Sequence, residues 1–235
     1  MTQSVLIIGG SSAIGRALAQ HYAGCGAKVT VISRQRPRQH TAITWLQDTL
    51  STEAASADLV ADALRQQPDT IFICNGVLHD AKAMPEKTIR QLDTDILASR
   101  FASNVQVPAR YMKLLFGYLC KQPQVKLLAL SAKVGSISDN ALGGWYSYRI
   151  SKAALNMLVK NLSIEVGRLN KTAAIVSIHP GTTDTELSAP FQQNLPAGQL
   201  QSPDATAQRL ANVAAELSAE RTGFLLNWDG STLPW

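Results

Sequence analysis

Tyr148 and Lys152 stand four residues apart in a stretch patterned as a helix over 146–168, so their side chains share one face. An ammonium beside a phenol favours the phenolate and draws its pKa below the usual value of about 10. Such a tyrosine could protonate an alkoxide, or take a proton from an alcohol, nearer neutral pH. The pair alone is a weak signal, because tyrosine and lysine meet at this spacing by chance in many chains. Among the five tyrosines, though, only Tyr148 has a lysine four residues further on.

A second constellation is Gly9-Gly10-Ser11-Ser12-Ala13-Ile14-Gly15, between an apolar run and a helical pattern. Glycine lets backbone approach a phosphate closely, and the helix start that follows offers N–H groups and the positive end of a dipole to an anion. A tight turn with no ligand would use the same residues. A nucleoside triphosphate loop is excluded: Gly10 and Gly15 have its spacing, but Arg16 and Ala17 replace its lysine and hydroxyl residue. The G-x-G-x-x-G fingerprint is not matched either. After the second apolar run the chain reads Ser33-Arg34, with Arg36 and Arg38 close by and no carboxylate. An acid there would take a ribose 2′-hydroxyl, whereas arginine accommodates a 2′-phosphate. Arg34 therefore favours NADP(H) over NAD(H).

These residues need a scaffold that brings positions 9–15 and 148–152 together. Short apolar runs at Val5–Ile8, Lys28–Ser33, Ala42–Leu46, Thr70–Cys74, Val125–Leu130, Ala173–Ile178 and Phe224–Asn227 read as seven strands. Helical patterns at Ile14–Ala23, Ala54–Gln67, 88–120, 146–168 and 204–219 fill the gaps. Near-continuous apolar strands alternating with helices predict a Rossmann-type α/β fold: a doubly wound, mostly parallel seven-stranded sheet with helices on both faces. A length of 235 residues suits a single domain over 1–235. The segment 186–203, with Pro190, Pro196, Gly198 and Pro203, reads as a long irregular loop over a substrate pocket.

Composition removes other classes. The net charge of +5 is modest and no block of like charges occurs, so nucleic acid is not an expected partner. No run is apolar enough for a membrane span, and the N-terminus lacks a leader pattern, so the expectation is a cytoplasmic protein without a membrane partner. Cys25, Cys74 and Cys120 are scattered, without metal-ligand spacing, and read as reduced thiols with no metal site.

Taken in order, the motifs resemble the short-chain dehydrogenase/reductase family over nearly the whole chain. Gly9-x3-Ala13-x-Gly15 is similar to its nucleotide loop, with Ala13 in place of the middle glycine. Asp48 matches the aspartate that contacts adenine, and Cys74-Asn75-Gly76-Val77 matches the Asn-Ala-Gly segment in altered form. Asn104 matches the helix asparagine that holds a proton-relay water. Tyr148-x3-Lys152 matches the catalytic helix, and Pro180-Gly181-Thr182-Thr183-Asp184-Thr185 the turn that contacts the nicotinamide carboxamide. Gly135-Ser136-Ile137-Ser138-Asp139-Asn140 with Gly143-Gly144 is similar to the C-factor or sniffer-like carbonyl reductase subset.

The resemblance implies a small carbonyl or alcohol substrate, proton transfer by Tyr148, and Lys152 tuning Tyr148 while touching the nicotinamide ribose. It implies cofactor contacts from Gly9, Ser11, Ser12, Ala13, Ile14, Gly15, Arg34, Asp48, Asn75, Gly76, Pro180, Gly181, Thr183 and Thr185. A homodimer or homotetramer through helices near 98–118 and 146–166 stays open. One departure matters. The family's polarising serine is usually the second of two after the fifth strand, and here the pair reads Ser131-Ala132. Ser131, and Ser136 twelve residues before Tyr148, are equal candidates for the missing hydroxyl. Its loss also keeps open a cofactor-binding regulatory or signalling protein with little turnover. His79 reads as a loop histidine, Trp145 and Trp228 as packing residues, and Cys74 as a buried strand end.

Overall fold

The computed structural model describes residues 2–35, 42–81, 83–193 and 195–235. Arg36 and Arg38 lie outside the described residues. The elements run β1 (Ser4–Ile8), α1 (Ala13–Gly24), β2 (Lys28–Ser33), β3 (Ile43–Gln47), α2 (Glu53–Leu64), β4 (Thr70–Ile73), α3 (Thr94–Phe101) and α4 (Val107–Leu119). They continue with β5 (Lys126–Leu130), α5 (Tyr146–Leu169), β6 (Ala174–His179), β7 (Thr182–Thr183), β8 (Leu200–Gln201), α6 (Pro203–Glu216), β9 (Leu225–Asn227) and β10 (Thr232–Leu233). Short 3₁₀ turns lie between several of them.

The main sheet has the order β10-β9-β6-β5-β4-β1-β2-β3, with every pairing parallel except β10 on β9. The order reverses between β1 and β4, which opens a crevice at the carboxyl ends of those strands. β1 is buried along its whole length because both faces are covered. One face packs with α1 and α6 around Val31, Phe72, Leu128 and Leu210. The other packs with α2, α4 and α5 around Leu6, Ile71, Leu115 and Val159. Phe72, fully buried at the centre, contributes about 2–3 kcal/mol by area alone.

Two expectations are corrected. The sheet has eight strands, not seven. The extra strand, β10, is two residues long and turns back through Gly230 at φ 80°, too short for any periodicity to show. The helix expected over 88–120 is also interrupted. A π-turn at Ala102–Gln106 separates α3 from α4. Pro108 cannot donate to the carbonyl of Asn104, and the helix widens one turn before it. The segment expected as an irregular loop contains a 3₁₀ turn at Ala189–Phe191 and β8, which pairs with β7 in a second small sheet. No described helix is long and apolar enough to cross a membrane.

Candidate active site

A cavity of about 710 Å³ opens along the carboxyl ends of the central strands. Ser11, Ser12, Ala13, Ile14 and Arg16 wall one end; Tyr148, Trp145, Leu187 and Phe191 wall the other. Asn75, Gly76, Lys152 and the turn from Pro180 to Thr183 lie between, with Thr185 beyond the turn.

The glycine turn is built for close approach. Gly9 has φ 81°, and a Cβ there would stand 3.1 Å from Asn75. A Cβ on Gly15 would come within 2.8 Å of Gly10 Cα, so α1 starts tight against the strand. Ser12 caps α1: its hydroxyl accepts from Gly15 N–H at 3.1 Å and donates to the Gly9 carbonyl at 2.9 Å. The first turn of α1 thus borders the cavity. Nearby, Asn75 Oδ1 is buried without a hydrogen-bond partner, a cost of about 1–3 kcal/mol unless a ligand donor meets it. An open helix start, an orphaned acceptor and a lysine in one cleft fit a phosphate-bearing dinucleotide.

Lys152 is 2 % exposed and threads between two glycines. A Cβ on Gly76 would sit 3.3 Å from its Nζ, and one on Gly135 would sit 2.8 Å from its Cβ. Nζ donates to the Leu130 carbonyl at 2.8 Å and reaches the Asn75 carbonyl at 3.5 Å. Burial pushes its pKa down to about 8. Nζ lies 5.8 Å from the Tyr148 ring centroid. The expected lowering of the Tyr148 pKa is corrected here. Burial raises it, because the surroundings are apolar and the ammonium is spent on backbone carbonyls. Burial thus favours the neutral phenol, the form that gives a proton.

Neither candidate hydroxyl is free beside Tyr148. Ser131 reaches the cavity wall, but its Oγ donates to Asn156 Oδ1 at 2.6 Å, on the α5 side. Side chains alternate there, so the Ala132 methyl, packed with Leu78 and Tyr148, takes the place facing the phenol. Ser136 is buried outside the cavity wall, where its Oγ accepts from Asp139 N–H at 3.2 Å.

Other expected residues sit further back. Asn104 has its side-chain donors and acceptor engaged: Oδ1 accepts from Val77 N–H at 2.7 Å, and Nδ2 donates to Val77 O and Ser151 Oγ, both at 2.9 Å. It ties the β4 exit to the helix of Tyr148. Asp48 is buried, accepting from Leu50 N–H at 2.7 Å and the Tyr111 hydroxyl at 2.8 Å, away from the cavity wall. Arg34 is exposed just past β2, also off that wall. Thr183, by contrast, lines the cavity, its hydroxyl meeting that of Thr206 at 2.9 Å.

His79 donates from Nε2 to Leu187 O at 3.1 Å, and burial raises the Cys74 thiol to about 12, so neither is poised as base or nucleophile. Trp228 packs on Gly181 under Arg209. Trp145, read from sequence as a packing residue, instead lines the cavity.

Several residues were missed. Glu86 is buried and caps α5 from a distant loop, its carboxylate accepting from Ser147 N–H at 3.2 Å and from the Ser147 hydroxyl. Nothing in its sequence neighbourhood marks that role. His179 lines the cavity with Nδ1 unpartnered, its pKa pushed down to about 4 by burial and then by Lys133. Its place just before Pro180-Gly181 could have pointed to it.

The short chain dehydrogenase family profile matches residues 3–196. The chain belongs to the short-chain dehydrogenase family. Within it, the chain is 30% identical to C-signal of Myxococcus xanthus over 139 residues, 59% of this chain and 78% of that protein. The carbonyl reductase Sniffer of D. melanogaster superposes with a TM-score of 0.84 at 23% identity, over 100% of both chains. The NADPH-bound carbonyl reductase from chicken fatty liver gives 0.83 at 21% identity, over 100% of this chain and 94% of that one. The sniffer-like carbonyl reductases are thus structural neighbours, and the chain is a short-chain oxidoreductase.

Proposed function

We propose that this chain is an NADP(H)-dependent carbonyl reductase whose domain spans 1–235, with Tyr148 as proton donor. One observation carries the reading: a single cavity joins the glycine turn to a buried Tyr148 with Lys152 beside it. Gly9, Ser11, Ser12, Ala13, Ile14 and Gly15 would hold the pyrophosphate, and Asn75, Gly76, Lys152, Pro180, Gly181, Thr183 and Thr185 the nicotinamide half. Arg34 would pair with a 2′-phosphate, and Asp48 would stand at the adenine end. When bound, the dinucleotide supplies the hydride.

The chain's own residues move the proton. Tyr148 donates from its hydroxyl to the carbonyl oxygen as that oxygen gains negative charge. Lys152 would hold the nicotinamide ribose from beside the phenol, its ammonium 5.8 Å from the ring centroid. Asn104 positions this helix through Ser151. The segment 186–203 covers the substrate, with Leu187, Phe191 and Leu195 in the wall.

A second reading, cofactor binding with little turnover, is favoured by the Ala132 methyl where a polarising hydroxyl would face Tyr148. NADPH titration beside NADPH oxidation against a panel of aldehydes and ketones separates the two. Micromolar binding with carbonyl-dependent oxidation is expected; binding without turnover would establish the second reading.

A further inference from the structure

The carbonyl end of the cavity is walled by aromatic rings, and the backbone is bent into an uncommon conformation to place one of them. Trp145 has φ 51° and ψ 41°, in the left-handed region that bulky residues rarely occupy. Gly143 and Gly144 lead into it at φ 65° and 66°. Glu86 holds the turn: its carbonyl accepts Trp145 N–H at 2.5 Å, while its carboxylate holds Ser147. Trp145 offers α5 no side-chain cap, a task that serine or aspartate performs at such a position. What the turn achieves lies in the cavity. The indole centroid stands 4.8 Å from that of Phe191 and 6.4 Å from that of Tyr148. Leu78, Ala132, Val134 and Leu187 complete this end, all apolar.

We propose that Trp145 determines substrate specificity and that the carbonyl substrate carries a flat aromatic ring, seated against Trp145 and Phe191 beside Tyr148. This rests on the reductase reading. A saturated ring of similar size gains the same burial, but only an aromatic ring adds edge-to-face contacts with the indole and phenyl groups. The side chains packed around Tyr148 here, Leu78, Ala132, Val134, Trp145, Leu187 and Phe191, are apolar apart from the indole N–H, so a charge on the substrate's ring is disfavoured.

Phenylacetone and cyclohexylacetone carry the same unconjugated methyl ketone on rings of similar size. The parent should favour phenylacetone about three- to tenfold in kcat/KM, and similarly in calorimetric affinity for the non-reacting complex with NADP⁺. Trp145→Leu should bring both ratios to within about twofold of unity, and Trp145→Phe should keep most of the preference. NADPH affinity reports whether each variant is folded. Equal treatment of the two ketones by the parent, or an undiminished ratio in Trp145→Leu, overturns the inference even if both ketones turn over. If neither turns over but calorimetry shows the preference and its loss, the reductase reading fails while the aromatic seat stands. Failure of the parent to bind either ketone overturns the seat.

Discussion

The two ends of the cavity are built by different means. At the dinucleotide end the chain uses backbone: a glycine turn, a capped helix start and a tight approach to Asn75. At the carbonyl end it uses side chains from four separated segments, around Leu78, Ala132, Trp145 and Leu187, closing on Tyr148. Backbone geometry is dictated within a few residues and recurs wherever the spacing recurs. A side-chain wall assembled from distant loops can be changed one residue at a time. On the proposed function, the first end would set the cofactor class, and the second which carbonyl is accepted and how fast.

The sharpest separation of the two ends is Tyr148→Phe. The ring still packs with Leu78 and Ala132, so NADPH affinity should stay within a few-fold. Carbonyl reduction should fall by about 10²–10⁴, as measured by NADPH oxidation, because no proton donor remains. Next is Ala132→Ser, which restores a hydroxyl facing Tyr148. It should raise kcat about tenfold to a hundredfold with NADPH affinity unchanged, since one well-placed donor contributes about that much or more. No gain would mean that the carbonyl oxygen already has a second donor. At the other end, Arg34→Ala should narrow the preference for NADPH over NADH by about tenfold in Kd and leave kcat untouched. Equal affinities of the parent for both cofactors would remove the basis for that assignment.

The smallest effect is on stability. Lys152 is charged in both folded and unfolded chains below pH 8, so the penalty of burying its ammonium is fully present there. Above about pH 8 the folded chain loses the proton first, and the penalty fades until the unfolded chain follows near 10.5. Lys152→Met should therefore be more stable than the parent at pH 7 by on the order of 1–2 kcal/mol in denaturant unfolding, net of the lost bond to Leu130. The gap should close between pH 8 and 10.5; a gap that does not change with pH contradicts the assigned penalty.

Sequence made the backbone-built end readable and left the other end obscure. The spacing of Gly9 and Gly15 between a strand and a helix, and β2 ending at Ser33, are local, and the structure places them as their patterns predict. Tyr148 and Lys152 were readable because helix geometry alone aligns residues four apart. The chemistry around them was not. Whether the ammonium reaches the phenol depends on carbonyls at Asn75 and Leu130, far away in sequence. Glu86 lies 61 residues from the helix it caps. The left-handed turn through Gly143, Gly144 and Trp145 had no reading in the sequence, and the ring it places could be read only once Phe191 was beside it.

Hydride transfer to a carbonyl, with its proton from Tyr148, is tested most directly by isotope. The protein is incubated with an aldehyde or ketone panel and NADPH deuterated at both C4 positions of the nicotinamide, and the alcohol is analysed by mass spectrometry. One deuterium on the carbinol carbon, formed by the parent and almost lost in Tyr148→Phe, is the predicted result. A parent protein that binds NADPH stoichiometrically yet leaves every carbonyl unlabelled and unreduced would contradict it.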